Sequence, residues 1–244
     1  MTTIMKIIIT AFYAFMFTSC NFDFNLGQVR GNGNVVEENL NISEEFRDIE
    51  ASSGWDVILE KGDDFSVTAE MDENLLEILD VYVSGNTLEI ETKGHNNVGF
   101  ATLKKVYVTY KDNLENISAS SGASVNAVNM LDGERMQFDV SSGGSINVET
   151  MIRNITAEVS SGGTIRIAGG AESFEASVSS GGTIDAKDLK SEDCVADASS
   201  GGNIKVWAGN SITAKASSGG NISYWGNPKI AHTPKSMSGS ISKN

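Results

Sequence analysis

Apolar and polar positions in the C-terminal half of the chain alternate around one recurring phrase. Ser-Ser-Gly-Gly begins at Ser141, Ser160, Ser179, Ser199 and Ser217, so successive starts lie 19, 19, 20 and 18 residues apart. Counting five, three and one residues back from each start gives Met136, Phe138, Val140; Ile155, Ala157, Val159; Phe174, Ala176, Val178; Cys194, Ala196, Ala198; and Ile212, Ala214, Ala216, all of them apolar. The positions between them are polar except at Val195. Alternation with a period of two is the mark of a strand with one buried face. After the phrase a second register holds Ile146, Ile165, Ile184, Ile204 and Ile222, followed two residues on by Val148, Ile167, Ala186, Val206 and Tyr224.

Two strands per repeat at this period predict an all-β, right-handed solenoid of about 18–20 residues per coil, clearest over residues 115–244. Each strand should pair with its equivalents about 4.8 Å above and below. One coil cannot bury its apolar face alone, and stacking several can. The phrase itself reads as the corner of each coil. Its paired glycines are expected to take positive φ, and its serines to bond nearby backbone and stack as a hydroxyl ladder. Cys194 falls in the register of Ile155 and Phe174, which makes it a small core residue.

The N-terminal half is strand-like with less regularity. "DVILEKGDDFSVTAE" from Asp56 holds two alternating runs around Lys61-Gly62-Asp63, the form of a hairpin or a solenoid corner. "DENLLEIL" from Asp72 predicts the one short helix, with Asp72 as N-cap and Leu75, Leu76 and Leu79 on one face. "SSGWDV" at Ser52, "SSGASV" at Ser120 and "SGSI" at Ser238 are shorter relatives of the corner phrase.

Residues 1–19 change the picture of where the protein resides. A lysine leads the apolar run "KIIITAFYAFMF", too short for a span of about 20 residues and suited to a secretory signal. Ser19 directly before Cys20 resembles a bacterial lipobox, so Cys20 is the expected site of lipidation and the chain's link to a membrane. Residues 20–34 then form a polar tether and residues 35–244 the solenoid domain. With Cys20 acylated, Cys194 has no disulfide partner. The net charge of −14 argues against nucleic acid as a partner.

Candidate chemistry is sparse. Serine catalysis needs a base in reach, and the two histidines, His95 and His232, do not recur with the phrase. A strand follows each glycine pair, where a phosphate-binding loop would open a helix. No cofactor motif is present. Asp139 and Glu158 share a register on adjacent coils, with Asp197 two coils on, and such stacked carboxylates suit either a solvated acidic face or Ca²⁺. The basic residues Arg166, Lys187, Lys205 and Lys215 do not fall in one register. Trp207, Tyr224 and Trp225 read as a cover for the open end of the core or as a platform for a sugar.

The order of the lipobox, "GNGNVVEENLNISEEFRDIEASSGWDVILEKGDDFSVTAEMDENLLEIL", "GNTLEIET", the Ser-Ser-Gly-Gly phrases and "YWGNPKI…SMSGSI" resembles the putative auto-transporter adhesin, head GIN domain family of Bacteroidetes-type envelopes. The resemblance runs from about residue 29 to 241 and implies an exported β-solenoid with an adhesive role and no catalytic residues to carry over. The leading expectation is a non-enzymatic envelope lipoprotein that binds a glycan or another envelope protein. The alternatives are a structural or stress-related periplasmic lipoprotein and a polysaccharide-active β-helix enzyme. Exposed ends and flat faces also suit a homo-oligomer.

Overall fold

The computed structural model describes residues 28–42, 44–94, 96–234 and 238–244. Its strands, in chain order, are β1 (Gln28–Val29), β2 (Val35–Asn39), β3 (Asp48–Ala51), β4 (Asp56–Lys61), β5 (Ser66–Asp72), β6 (Leu79–Ser84), β7 (Thr87–Thr92), β8 (Asn97–Val98), β9 (Lys104–Tyr110) and β10 (Asn116–Ala119). They continue as β11 (Ser124–Ala127), β12 (Leu131–Val140), β13 (Ser145–Val159), β14 (Thr164–Val178), β15 (Thr183–Ala198), β16 (Asn203–Ala216), β17 (Asn221–Trp225), β18 (Ile230–His232) and β19 (Ser240–Lys243). Together they make a β-solenoid of about seven turns.

The register follows the repeat. Ile155 stands beside Phe174, Phe174 beside Cys194 and Cys194 beside Ile212, while Ile146, Ile165, Ile184, Ile204 and Ile222 form the matching column after the corner. All fifteen apolar positions before the phrase are buried, and Val195, the exception among the polar positions, points outward and is 47% exposed. Cys194 is 2% exposed, and burial pushes its thiol up to about 12, so it is an unreactive part of the core.

Among the described residues, the seven corners from Ser52 to Ser217 that carry the phrase or a variant of it are each a tight turn. In the fullest case the Gly163 amide donates to the Ser160 carbonyl at 2.9 Å. Positive φ falls on the second serine, between +46° and +60°, and on the first glycine, between +73° and +82°. This differs from the expectation that both glycines would take it. The second glycine serves close approach: a Cβ on Gly144 would stand 2.4 Å from the Ala119 carbonyl oxygen, and one on Gly220 would stand 2.2 Å from that of Ala198. The ladder at the corners is made by backbone amides rather than hydroxyls, with Gly143, Gly162, Gly181 and Gly201 donating to Ser161, Ser180, Ser200 and Ser218 of the next coil at 3.1–3.2 Å.

The first corner ends in Trp55 instead of glycine. The indole is fully buried. Its Nε1 donates to the Glu91 carbonyl at 3.1 Å and to Thr92 Oγ1 at 3.2 Å.

The N-terminal half departs from chain order. β7 and β9 lie beneath β3 and β4, and β10 and β11 lie above them, all in parallel register. The chain therefore completes one coil, descends through β5 and β6 to build the layer below, then climbs over both. β4 and β5 are not a hairpin, because β9 runs between them, parallel to β4 and antiparallel to β5. β2 on β5 and β6 on β7 add antiparallel strands at this end.

The predicted helix over 72–79 is instead a single 3₁₀ turn, Glu73–Leu75. β5 runs to Asp72 and β6 begins at Leu79, so only residues 73–78 lie between the strands, too few for the predicted helix. Asp72 makes no cap bond there. Its fully buried carboxylate accepts from the amides of Gly33 at 3.3 Å, Thr102 at 3.0 Å and Leu103 at 3.3 Å. Of the expected tether, residues 28–34 are fastened to the fold, with β1 paired to β8 and the Gly31 amide donating to the Phe100 carbonyl, and residues 20–27 lie outside the described residues.

Candidate functional site

The outward rows of the coils are the surfaces open to a partner. One row runs Glu89, Glu50, Ser118, Asp139, Glu158, Ser177, Asp197 and Lys215 beside the corners. Sequence spacing finds its middle, and Glu50 and Glu89 join it only because the chain doubles back beneath the first coil. Glu50, Asp139 and Glu158 line a groove of about 300 Å³. Burial pushes the Asp139 carboxyl up, opposed by the Gln137 amide that donates to it at 3.0 Å. Burial, then the charges of Glu50 and Glu91, push up Glu89. Among the described residues no three His, Cys, Asp or Glu side chains are grouped to hold a metal ion. Asp139 and Glu158 stand side by side in the acidic stretch of the row.

A raised carboxyl favours the fold most when it is protonated. That contribution is complete below the ordinary carboxylate range and is lost as pH rises through the raised value. Asp139→Asn should therefore give a slightly higher Tm than the parent at pH 7. The two melting curves should converge as pH falls below about 4. A variant less stable than the parent at pH 7 would contradict the burial assignment.

The row after the corner places Arg166 beside Asp185 and Asp185 beside Lys205, with Lys205 Nζ 3.2 Å from the Asp185 carboxylate. Lys215 lies beside Asp197 on the other face and Lys187 pairs with Asp188, so the basic residues are spread over separate rows. His232 is exposed on β18, which pairs with β16, while His95 and Cys20 lie outside the described residues.

The three candidate aromatics separate. Tyr224 follows Val206 in the buried column and is 8% exposed, so it fills the core and offers no ring face. Trp207 and Trp225 are partners on adjacent coils in an outward row, and both are half-buried. They line a hollow of about 250 Å³ together with Lys187, Asp188, Lys190 and Gly226.

The hollow sits where the repeat is irregular. The register of β15 shifts between Ala186 and Lys190, a bulge that turns Lys187 and Asp188 outward. Lys190 lies beside Trp207 with its Nζ 4.7 Å from the ring centroid. Ser191 is a buried hydroxyl at an inward position, and it donates to the Trp207 carbonyl at 2.6 Å. Asp193 accepts from Asn210 at 3.0 Å and Ser211 at 2.6 Å, bonds that hold its carboxyl below the usual range and fix the segment after Trp207. Gly226 has φ +96°, and a Cβ there would stand 2.1 Å from the Ala208 carbonyl oxygen and 3.2 Å from the Trp207 ring. The tryptophans and lysines were visible in the sequence. The bulge and the Ser191 bond that fix them have only the 20-residue spacing as a signal.

A rigid solenoid with polar outward rows and one aromatic hollow defines a class of repeat-built binding scaffolds. The chain belongs to the family described as putative auto-transporter adhesin, head GIN domain, whose model matches residues 45–228. Among solved structures it is similar to a putative adhesin from Bacteroides fragilis, with 19% identity and a TM-score of 0.81 over 88% of this chain and 100% of that one. It is also similar to a putative adhesin from Parabacteroides merdae, with 22% identity and a TM-score of 0.68 over 89% and 99%. A putative lipid binding protein from Parabacteroides distasonis shares 23% identity, with a TM-score of 0.67 over 89% and 99%. Among curated proteins none matches significantly. At these identities the structural likenesses speak for the fold.

Proposed function

We propose that the protein is a non-enzymatic adhesin of the cell envelope, exported by its N-terminal signal, anchored through lipid on Cys20, and displaying the solenoid to a glycan or protein partner outside the outer membrane. The observation that carries binding over catalysis is the arrangement of the outward surface. Polar side chains stand in rows at strand spacing on a rigid core, beside a hollow with two partly exposed indoles. The corner serines, the most repeated polar residues, are committed to turn geometry and to the amide ladder between coils. Membership in an adhesin family supports the same reading.

The lipid anchor has its own test. Cells making the native chain should incorporate labelled palmitate into it and hold it in the membrane fraction, and Cys20→Ala should remove both label and retention. Label that survives the substitution would contradict anchoring at Cys20.

A further inference from the structure

We infer that the hollow formed by Trp207, Trp225, Lys190 and Lys187 is a binding site for an acidic sugar, such as a uronic acid residue of a glycan. This deepens the adhesin reading by naming the site and the ligand class, and it rests on that reading. The chain has three tryptophans. Trp55 is fully buried, and the other two meet at this one place. Indole faces suit the C–H face of a pyranose ring, which combines apolar area with polar edges.

Charge sets the class of sugar. The protein carries a net charge of −14, yet the hollow holds two ammonium groups to one carboxylate. Asp188 is taken up by Lys187. Lys190 makes no ion pair among the described residues, and its ammonium stands over the Trp207 ring at the mouth of the hollow. A carboxylate on a ring stacked against Trp225 would complete that cation.

The site is also built. A bulge interrupts the most regular sheet of the molecule at Lys187, a buried serine fastens the Trp207 backbone, and Gly226 keeps the ring edge clear. The bulge in β15 and the Ser191 bond both adjoin this cavity, as strand irregularities do beside binding sites.

The test is tryptophan fluorescence of the full mature chain titrated with a tetrasaccharide of alternating glucuronate and N-acetylglucosamine, against chitotetraose as the uncharged probe. The acidic probe should quench saturably. Trp225→Ala should abolish the response, and Lys190→Gln should weaken it about tenfold or more. Lys190 is exposed, so its replacement leaves the core intact and Lys190→Gln should melt within about 2 °C of the parent. No saturable response, an unchanged response in Trp225→Ala, or equal affinity for chitotetraose would each overturn the assignment. Quenching that is intact in a protein shielded inside the cell would leave the hollow standing and fail the adhesin reading.

Discussion

Gly144→Ala should destabilise the protein by about 3 kcal/mol or more, lowering Tm by roughly 6–12 °C, while the same change at the adjacent Gly143 should cost about 1 kcal/mol. The two glycines look alike in the sequence and occupy opposite situations. Gly143 has φ +74° and nothing within 4 Å of a Cβ, so alanine there meets only the steric cost of a left-handed backbone. Gly144 has an ordinary φ, but its Cβ would stand 2.4 Å from the Ala119 oxygen, 2.7 Å from the Ala119 carbonyl carbon and 3.0 Å from the Ser120 nitrogen. All three are backbone atoms of the neighbouring coil and cannot turn aside, so the coils must separate. Thermal melts of the two variants check this, and equal losses would contradict the distinct roles of the pair.

Asp72→Ala should cost about 3–5 kcal/mol, because three backbone amides lose their only charged acceptor. The carboxylate ties Gly33 to the distant pair Thr102 and Leu103, closing off the N-terminal end of the stack. Gly31 packs against it so closely that a Cβ would stand 1.7 Å from Asp72 Oδ2. Hydrogen exchange should rise first at the amides of Gly33, Thr102 and Leu103, ahead of the C-terminal coils, since repeat units communicate mainly with their neighbours. Asp72→Asn, which keeps one acceptor oxygen, should fall between the parent and alanine. Uniform acceleration along the whole chain would show that the carboxylate is not a local clasp.

The regular coils were legible because their physics is local. Each phrase sits a fixed distance from its buried residues, and the columns from Phe138 to Ala214 and from Ile146 to Ile222 follow from counting alone. The N-terminal half was not legible in this way. Nothing in the text around Lys61-Gly62-Asp63 tells that β9, some forty residues later, will lie between the strands on either side. Nor does local propensity for a helix over 72–79 register that strand pairing claims Leu79. Asp72 was singled out for its residue type, and its role was set by loops brought to it from a distance.

The candidate site divides along the same line. Trp207 and Trp225 were visible as aromatics near the end of the repeat. Tyr224 is separated from them by the pleat, since one step along a strand exchanges the outer face for the core. The acidic stripe was half visible: Asp139 and Glu158 share a regular spacing, whereas Glu50 and Glu89 reach it through the doubled-back layer. The part of the hollow that no pattern announces is its framework, the Ser191 bond and the bulge at Lys187.

The central claim, that this solenoid works as an adhesin outside the cell, is tested most directly by protease treatment of intact cells followed by immunodetection of the chain. The account predicts that the protein is cleaved while the outer membrane is whole and a periplasmic control protein survives. Full protection until the outer membrane is broken would contradict it.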